Sequence, residues 1–282
     1  MVVGPLLVIA DYHMHLVGDD DPYTETILSV ERVERYVRAA AAAGVDEIAI
    51  TDHVYRFRQA RDWFDNPLWV DDALADLDRY HATVTAARDA GLPVRVGLET
   101  DWLEGIEPLI RETLAPYSWD VVLGSVHWLA GLAVDWEAAP VWEHHSVADV
   151  WEMYTEQLCA AAASGVYDVM AHPDLAKVFG DRPDPKPLHL YERIADAFAA
   201  AGVCAEVSSG GYHGPLGEPY PDPELLAVFR QRDVPVTLAS DAHGPDGIGR
   251  RFDDLQAELR RAGYDTITLF RDREPRQVAF DE

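Results

Sequence analysis

Six of the eleven histidines, together with Glu99 and Asp241, stand directly after short apolar runs of the chain. His13 and His15 form an H-x-H pair, and side chains at i and i+2 of an extended segment share a face, so both imidazoles can reach one ion. Further along come His53 in TDH, Glu99 in GLE, His127 in GSVH, His172 in AHPD, and Asp241 and His243 in SDAH. All are imidazole or carboxylate donors and none is a thiolate, a set that suits Zn, Mn or Fe. The set exceeds what one ion needs, so two to three divalent metal ions are expected, with a carboxylate such as Glu99 able to bridge. Clustered divalent ions lower the pKa of water and clamp the oxygens of a transferring phosphoryl group, which points to metal-assisted hydrolysis.

The elements that must position these residues alternate along the chain. Apolar runs at Leu6–Ala10, Glu47–Ile50, Val94–Leu98, Val121–Leu123, Val169–Ala171, Val203–Val207, Val236–Ala239 and Thr266–Phe270 read as strands buried on both faces. Amphipathic stretches at Ser29–Ala43, Asp71–Ala90, Ser146–Ser164 and Leu188–Ala201 read as helices, each followed by or ending near a glycine, and Asp222-Pro223 opens another. Seven or eight βα units without a dividing linker predict one α/β barrel domain over residues 1–282, with an open doubly wound sheet as the alternative. In such a barrel the strands' C-terminal ends carry the active site, and that is where the histidines fall. His81, His144, His145 and His189 lie in helical or loop stretches and read as surface residues.

Composition narrows the partners. The 282 residues carry a formal net charge of −27, which repels phosphate backbones and anionic lipids and argues against long nucleic acid and membrane surfaces. A small-molecule phosphate ester remains compatible, because a metal cluster inverts the field locally. Cys159 and Cys204 read as buried thiols without zinc spacing, and the start of the chain shows no signal-peptide pattern, so a cytoplasmic protein is expected.

In these residues the chain resembles the PHP family, the polymerase and histidinol phosphatase superfamily. The matching pieces are DYHMH at 11–15, TDH at 51–53, GLE at 97–99, GSVH at 124–127, AHPDLAKVFG at 171–180 and SDAH at 240–243, in the family's order across nearly the whole chain. The similarity is greatest to its histidinol-phosphate phosphatase group and extends to EVSSGGYHGPLGEPYP at 206–221. The resemblance implies a distorted (β/α)7 barrel and a trinuclear site. His13, His15, Glu99 and Asp241 would hold one ion, Glu99, His127 and His172 a second, and His53 and His243 a third. A further ligand for the third ion would come from Asp19, Asp20 or Asp21. It also implies a hydroxide, held between ions on Glu99, His127 and Asp241, that attacks phosphorus in line with the leaving alcohol.

Lys177, five residues after His172, is a candidate for holding the phosphate, as are Arg56, Arg58, Arg250 and Arg251. The chain departs from the group at His213-Gly214, where relatives carry basic residues; a protonated His213 could replace them. The expected reaction is hydrolysis of a small phosphomonoester, with L-histidinol phosphate giving L-histidinol and phosphate. Alternatives are another small sugar or nucleotide phosphate, including a diester, and a metal-stabilised binding module without turnover. An amidohydrolase-like site on C–N bonds is disfavoured, since no lysine occupies a strand end.

Overall fold

The computed structural model describes residues 7–18, 26–136 and 141–280. Strands run in chain order as β1 (Ala10–Asp11), β2 (Glu47–Ile50), β3 (Val94–Asp101), β4 (Val121–Ser125), β5 (Trp128–Leu129), β6 (Leu132–Ala133), β7 (Val169–Met170), β8 (Cys204–Ser208), β9 (Val236–Ala239), β10 (Thr266–Arg271) and β11 (Glu274–Ala279). Seven of them form one parallel sheet in the order β1-β2-β3-β4-β7-β8-β9. Its two edges meet. The Tyr12 amide donates to Leu238 O at 3.0 Å and the Asp241 amide to His13 O at 2.9 Å, with Met14 bridging Ala242 in parallel. The expected barrel, rather than an open sheet, is therefore what forms.

Helices α1 (Val30–Ala42), α2 (Pro67–Asp72), α3 (Leu77–Asp89), α4 (Glu107–Leu114), α5 (Val147–Ala163), α6 (Leu188–Ala201), α7 (Pro223–Gln231) and α8 (Phe252–Ala262) accompany the strands. Local chemistry fixes several starts. Ser29, Asp76, Ser146 and Asp222 each accept a backbone N–H of the first turn, filling donors that the helix leaves unpaired. The stretch expected as one helix over Asp71–Ala90 is broken in two. Ala75 sits between the halves and is drawn into an extended pairing with Phe57, its amide on Arg56 O at 2.8 Å and its carbonyl accepting from Arg58 N at 2.9 Å.

The eighth apolar run does not join the barrel. β10 turns back onto β11 as an antiparallel hairpin. Arg273 there donates to Asp168, the residue preceding β7, at 2.9 Å, and its amide donates to Asp120 O, just before β4, at 3.0 Å. The hairpin thus lies against the N-terminal ends of the strands and leaves the opposite end for the site. Cys204 is buried and Cys159 half-buried, both as free thiols.

The barrel wall tolerates no added atom at Gly124 of β4, where a Cβ would fall 2.5–2.7 Å from the ring of buried Tyr167. Gly124→Ala is expected to cost about 1–3 kcal/mol by overpacking, read as a lowered denaturation midpoint.

Candidate metal centre

The strand ends converge as the spacing requires. His13 and His15 leave β1 side by side, their rings 5.0 Å apart. Glu99 points in from β3, completely buried. Four imidazoles surround it. His53 Nδ1 lies 2.5 Å and His13 Nε2 3.2 Å from Oε2, while His172 Nε2 lies 3.2 Å and His127 Nε2 3.4 Å from Oε1. Asp241 Oδ1 stands 3.2 Å from His15 Nε2 and 3.4 Å from His13 Nε2. His243 stacks on His15 at 4.4 Å and His53 on the same ring at 4.0 Å, with the His53 and His243 rings 5.7 Å apart.

Four overlapping triads have ligand atoms within 4.8 Å of one another: His15–His53–His243, His13–His15–Asp241, His13–Glu99–His172 and His53–Glu99–His127. The eight residues singled out from the sequence are therefore all brought together. They overlap rather than divide into separate groups, with Glu99 shared by two triads. Asp19, Asp20 and Asp21 lie outside the described residues.

The donor set fits cations. His13 Nε2, His53 Nδ1 and Glu99 Oε2 are buried and, despite close polar neighbours, make no hydrogen bond of acceptable geometry. Packing so many donors without an acceptor-to-donor match is costly unless something positive lies between them. Charge tells the same story. Burial works against an ionised Glu99, yet His53, His13 and His127 hold its carboxyl well below the usual range. Burial likewise opposes a charged His13, but Glu206, Asp241 and Glu99 hold its imidazolium well above the ordinary value. His127 is pushed up to about 10, burial being outweighed by Asp101 and Glu99. His15 goes the other way, driven down by burial and by His53 and His243. The cluster attracts positive charge, and divalent ions compete with protons for such ligands.

Two backing carboxylates were not singled out in the sequence. Glu206 of β8 accepts from His13 Nδ1 at 2.7 Å and from the His172 amide at 3.2 Å. Asp101 of β3 accepts from His127 Nδ1 at 2.8 Å. Both turn the opposite ring nitrogen toward Glu99, the arrangement by which outer carboxylates fix a ligand's tautomer. A carboxylate inside an apolar strand was the available signal for Glu206, since a charge is buried only with a partner. Backbone shape contributes too. His172 and Asp241 hold positive φ values of 26° and 56°, a conformation that costs energy for non-glycine residues and clusters at functional sites.

A cavity of about 520 Å³ opens over the cluster, lined by His53, His127, His172, Asp241 and His243 together with aromatic residues. Arg56 also lines it and lies 3.9 Å from Asp72. Lys177 does not. Its buried ammonium donates to Pro219 O at 2.7 Å and pairs with Asp174 at 2.8 Å, so it braces the loop after β8. His213 is exposed, with its Nε2 3.4 Å from Arg250 Nη1, and neither lines the cavity. Arg251 packs over Tyr212 and Arg58 faces Asp76, and neither lines the cavity.

A PHP domain family model matches residues 24–210. A protein of Deinococcus radiodurans described as a probable histidinol-phosphatase is 35% identical over 238 residues, covering 83% of this chain and 88% of its own length. A Schizosaccharomyces pombe protein described the same way is 22% identical, covering 84% of this chain and 83% of its own. The crystal structure of histidinol phosphate phosphatase from Lactococcus lactis, complexed with zinc, L-histidinol and phosphate, superposes with a TM-score of 0.76 at 18% identity, over 96% of this chain and all of that one, and shows the same fold. From the family model and the Deinococcus relative, spread over most of the barrel that carries the cluster, it follows that this chain belongs to the PHP domain family.

Proposed function

We propose that this chain, acting as one domain over residues 1–282, is a metal-dependent phosphatase that hydrolyses L-histidinol phosphate to L-histidinol and phosphate. The observation that carries the reading is Glu99, buried among four imidazoles at the end of the barrel where the cavity opens. The Deinococcus relative supplies the substrate, at 35% identity over most of both chains.

His13, His15, His53, Glu99, His127, His172, Asp241 and His243 would hold two to three divalent ions, zinc being the ion present in the Lactococcus structure. When bound, such ions provide a water of lowered pKa and neutralise charge on the phosphoryl oxygens. The chain's own groups do the rest. Glu206 and Asp101 keep the ring proton on Nδ1 of His13 and His127, so that each Nε2 presents its lone pair inward. Arg56 is the cation among the described residues lining the cavity and would face the ester's phosphate. With their lone pairs engaged on the ions, the histidines and carboxylates of the centre would be kept from attacking phosphorus themselves, so transfer goes to water and not to the protein.

No described helix is long and apolar enough to cross a membrane. A cytoplasmic biosynthetic enzyme accords with the reading.

The test is phosphate release from L-histidinol phosphate by enzyme treated with a chelator. Release should stop on chelation and return with Zn²⁺ or Mn²⁺. Release that continues unchanged in a metal-free sample would remove the reading.

A further inference from the structure

Two buried carboxylates stand next to the metal ligands in the chain without joining them. Asp11 lies two residues before His13, and Asp52 directly before His53. Both are completely buried, yet neither belongs to the four ligand triads and neither lines the cavity. A carboxylate is costly to bury, so the partners that offset the cost show what it is for. Both of these take backbone amides from the loop of the neighbouring strand.

Asp11 of β1 reaches across the seam where the sheet's edges meet. Its Oδ1 accepts from the Ser240 amide at 2.8 Å and its Oδ2 from the Gly249 amide at 3.2 Å. One side chain therefore holds both ends of the loop 240–249, which carries Asp241 and His243. Asp241 sits at a φ of 56°, a conformation that persists only where its surroundings fix it, and Ser240 directly precedes it. Asp52 does the same one strand further round. Its Oδ1 accepts from the Val17 amide at 2.9 Å and its Oδ2 from the Leu16 amide at 3.2 Å, just after His15. Each clamp uses both oxygens, which an asparagine of the same shape cannot match with its single acceptor.

We propose that Asp11 and Asp52 are positioning residues for the metal centre: they fix the loops that carry His15, Asp241 and His243, and so set the affinity for an ion on that side of the cluster. Glu99 on β3, His127 after β4 and His172 after β7 belong to other elements, and neither clamp reaches them. The ions are therefore held unequally, one side of the centre depending on the two aspartates and the other not. The inference rests on the metal-dependent reading above and names the buried groups that keep one part of that centre in shape.

Asp11→Asn and Asp52→Asn test it, each keeping the volume and losing one acceptor. Asp120→Asn is the control. Asp120 is also buried and directly precedes β4, where it accepts the Val96 amide at 2.9 Å and the Asp272 amide at 3.1 Å at the barrel's opposite end. The affinity for each bound equivalent of Zn²⁺ is measured by competition with a chromogenic chelator, alongside the thermal midpoint. Asp11→Asn and Asp52→Asn are each expected to weaken one equivalent about 10- to 100-fold and to leave another unchanged, the range seen when a partner behind a ligand is lost. Asp120→Asn is expected to lower the midpoint and weaken none. A folded Asp11→Asn or Asp52→Asn with wild-type affinity for every equivalent overturns the role of that residue. Equal weakening of all equivalents, or the same weakening in Asp120→Asn, overturns the proposal as a whole, because general loosening then explains it. The two aspartates hold different loops, so if one variant does not fold the other decides. A wild type that binds no Zn²⁺ is a distinct result, which removes the metal-dependent reading and this proposal with it.

Discussion

Glu99→Gln is expected to lower kcat for phosphate release more than about 100-fold, beyond the range typical when a group behind a ligand is removed. One carboxylate serves four imidazoles through both its oxygens. Glutamine keeps the volume but replaces one oxygen with an NH₂, a donor that turns toward imidazole nitrogens and cannot bind a cation. It also removes the negative charge that His53, His13 and His127 stabilise. The fold should survive, because the carboxylate is surrounded by polar partners rather than core. Steady-state kinetics with unchanged far-UV circular dichroism checks this. A variant with near wild-type kcat would mean that Glu99 is not central to the reaction.

Glu206→Gln is expected to lower kcat or metal affinity by about 10- to 100-fold while leaving Glu99 in place. Glu206 accepts two hydrogen bonds, from the His13 ring and from the His172 amide. A glutamine carbonyl can serve only one of them, and its NH₂ then opposes the other donor. If the NH₂ faces His13, the ring must shift its proton to Nε2, the atom directed at Glu99 and Asp241. Excess metal in the assay separates the possibilities. Rescue at high Zn²⁺ or Mn²⁺ marks an affinity defect, as a positioning role predicts. A merely structural role would lower thermal stability without such rescue.

The cluster was legible because its members are chemically conspicuous. Histidines recurring at strand ends need no tertiary information to be noticed, and the barrel places strand ends together. The backing residues were harder to see. Asp101 lies two residues beyond Glu99 on β3 and shares its face, but its role depends on His127 arriving from the next strand. Lys177 looked like a phosphate ligand because it follows His172 closely. What the sequence could not convey is that Asp174 and Pro219 O occupy its ammonium. The break between α2 and α3 had a local sign in Asp76 as a cap, yet its cause, Ala75 pairing with Phe57, is a contact over a long loop. The hairpin β10–β11 was hidden for a similar reason. Its first strand is as apolar as the barrel strands, since it is buried against the barrel's lower end. The aromatic wall at Trp128 and Trp136 was not distinguishable from core by residue type. Only the hairpin turn brings it back over the cavity.

The most direct test of the account is the metal content of the purified protein, measured by elemental analysis on material prepared without chelator, for the wild type and Glu99→Gln together. The account predicts two to three equivalents of divalent metal per wild-type chain and a clear loss of at least one in the variant. A wild type that holds no metal, even after Zn²⁺ or Mn²⁺ is added back, would contradict it.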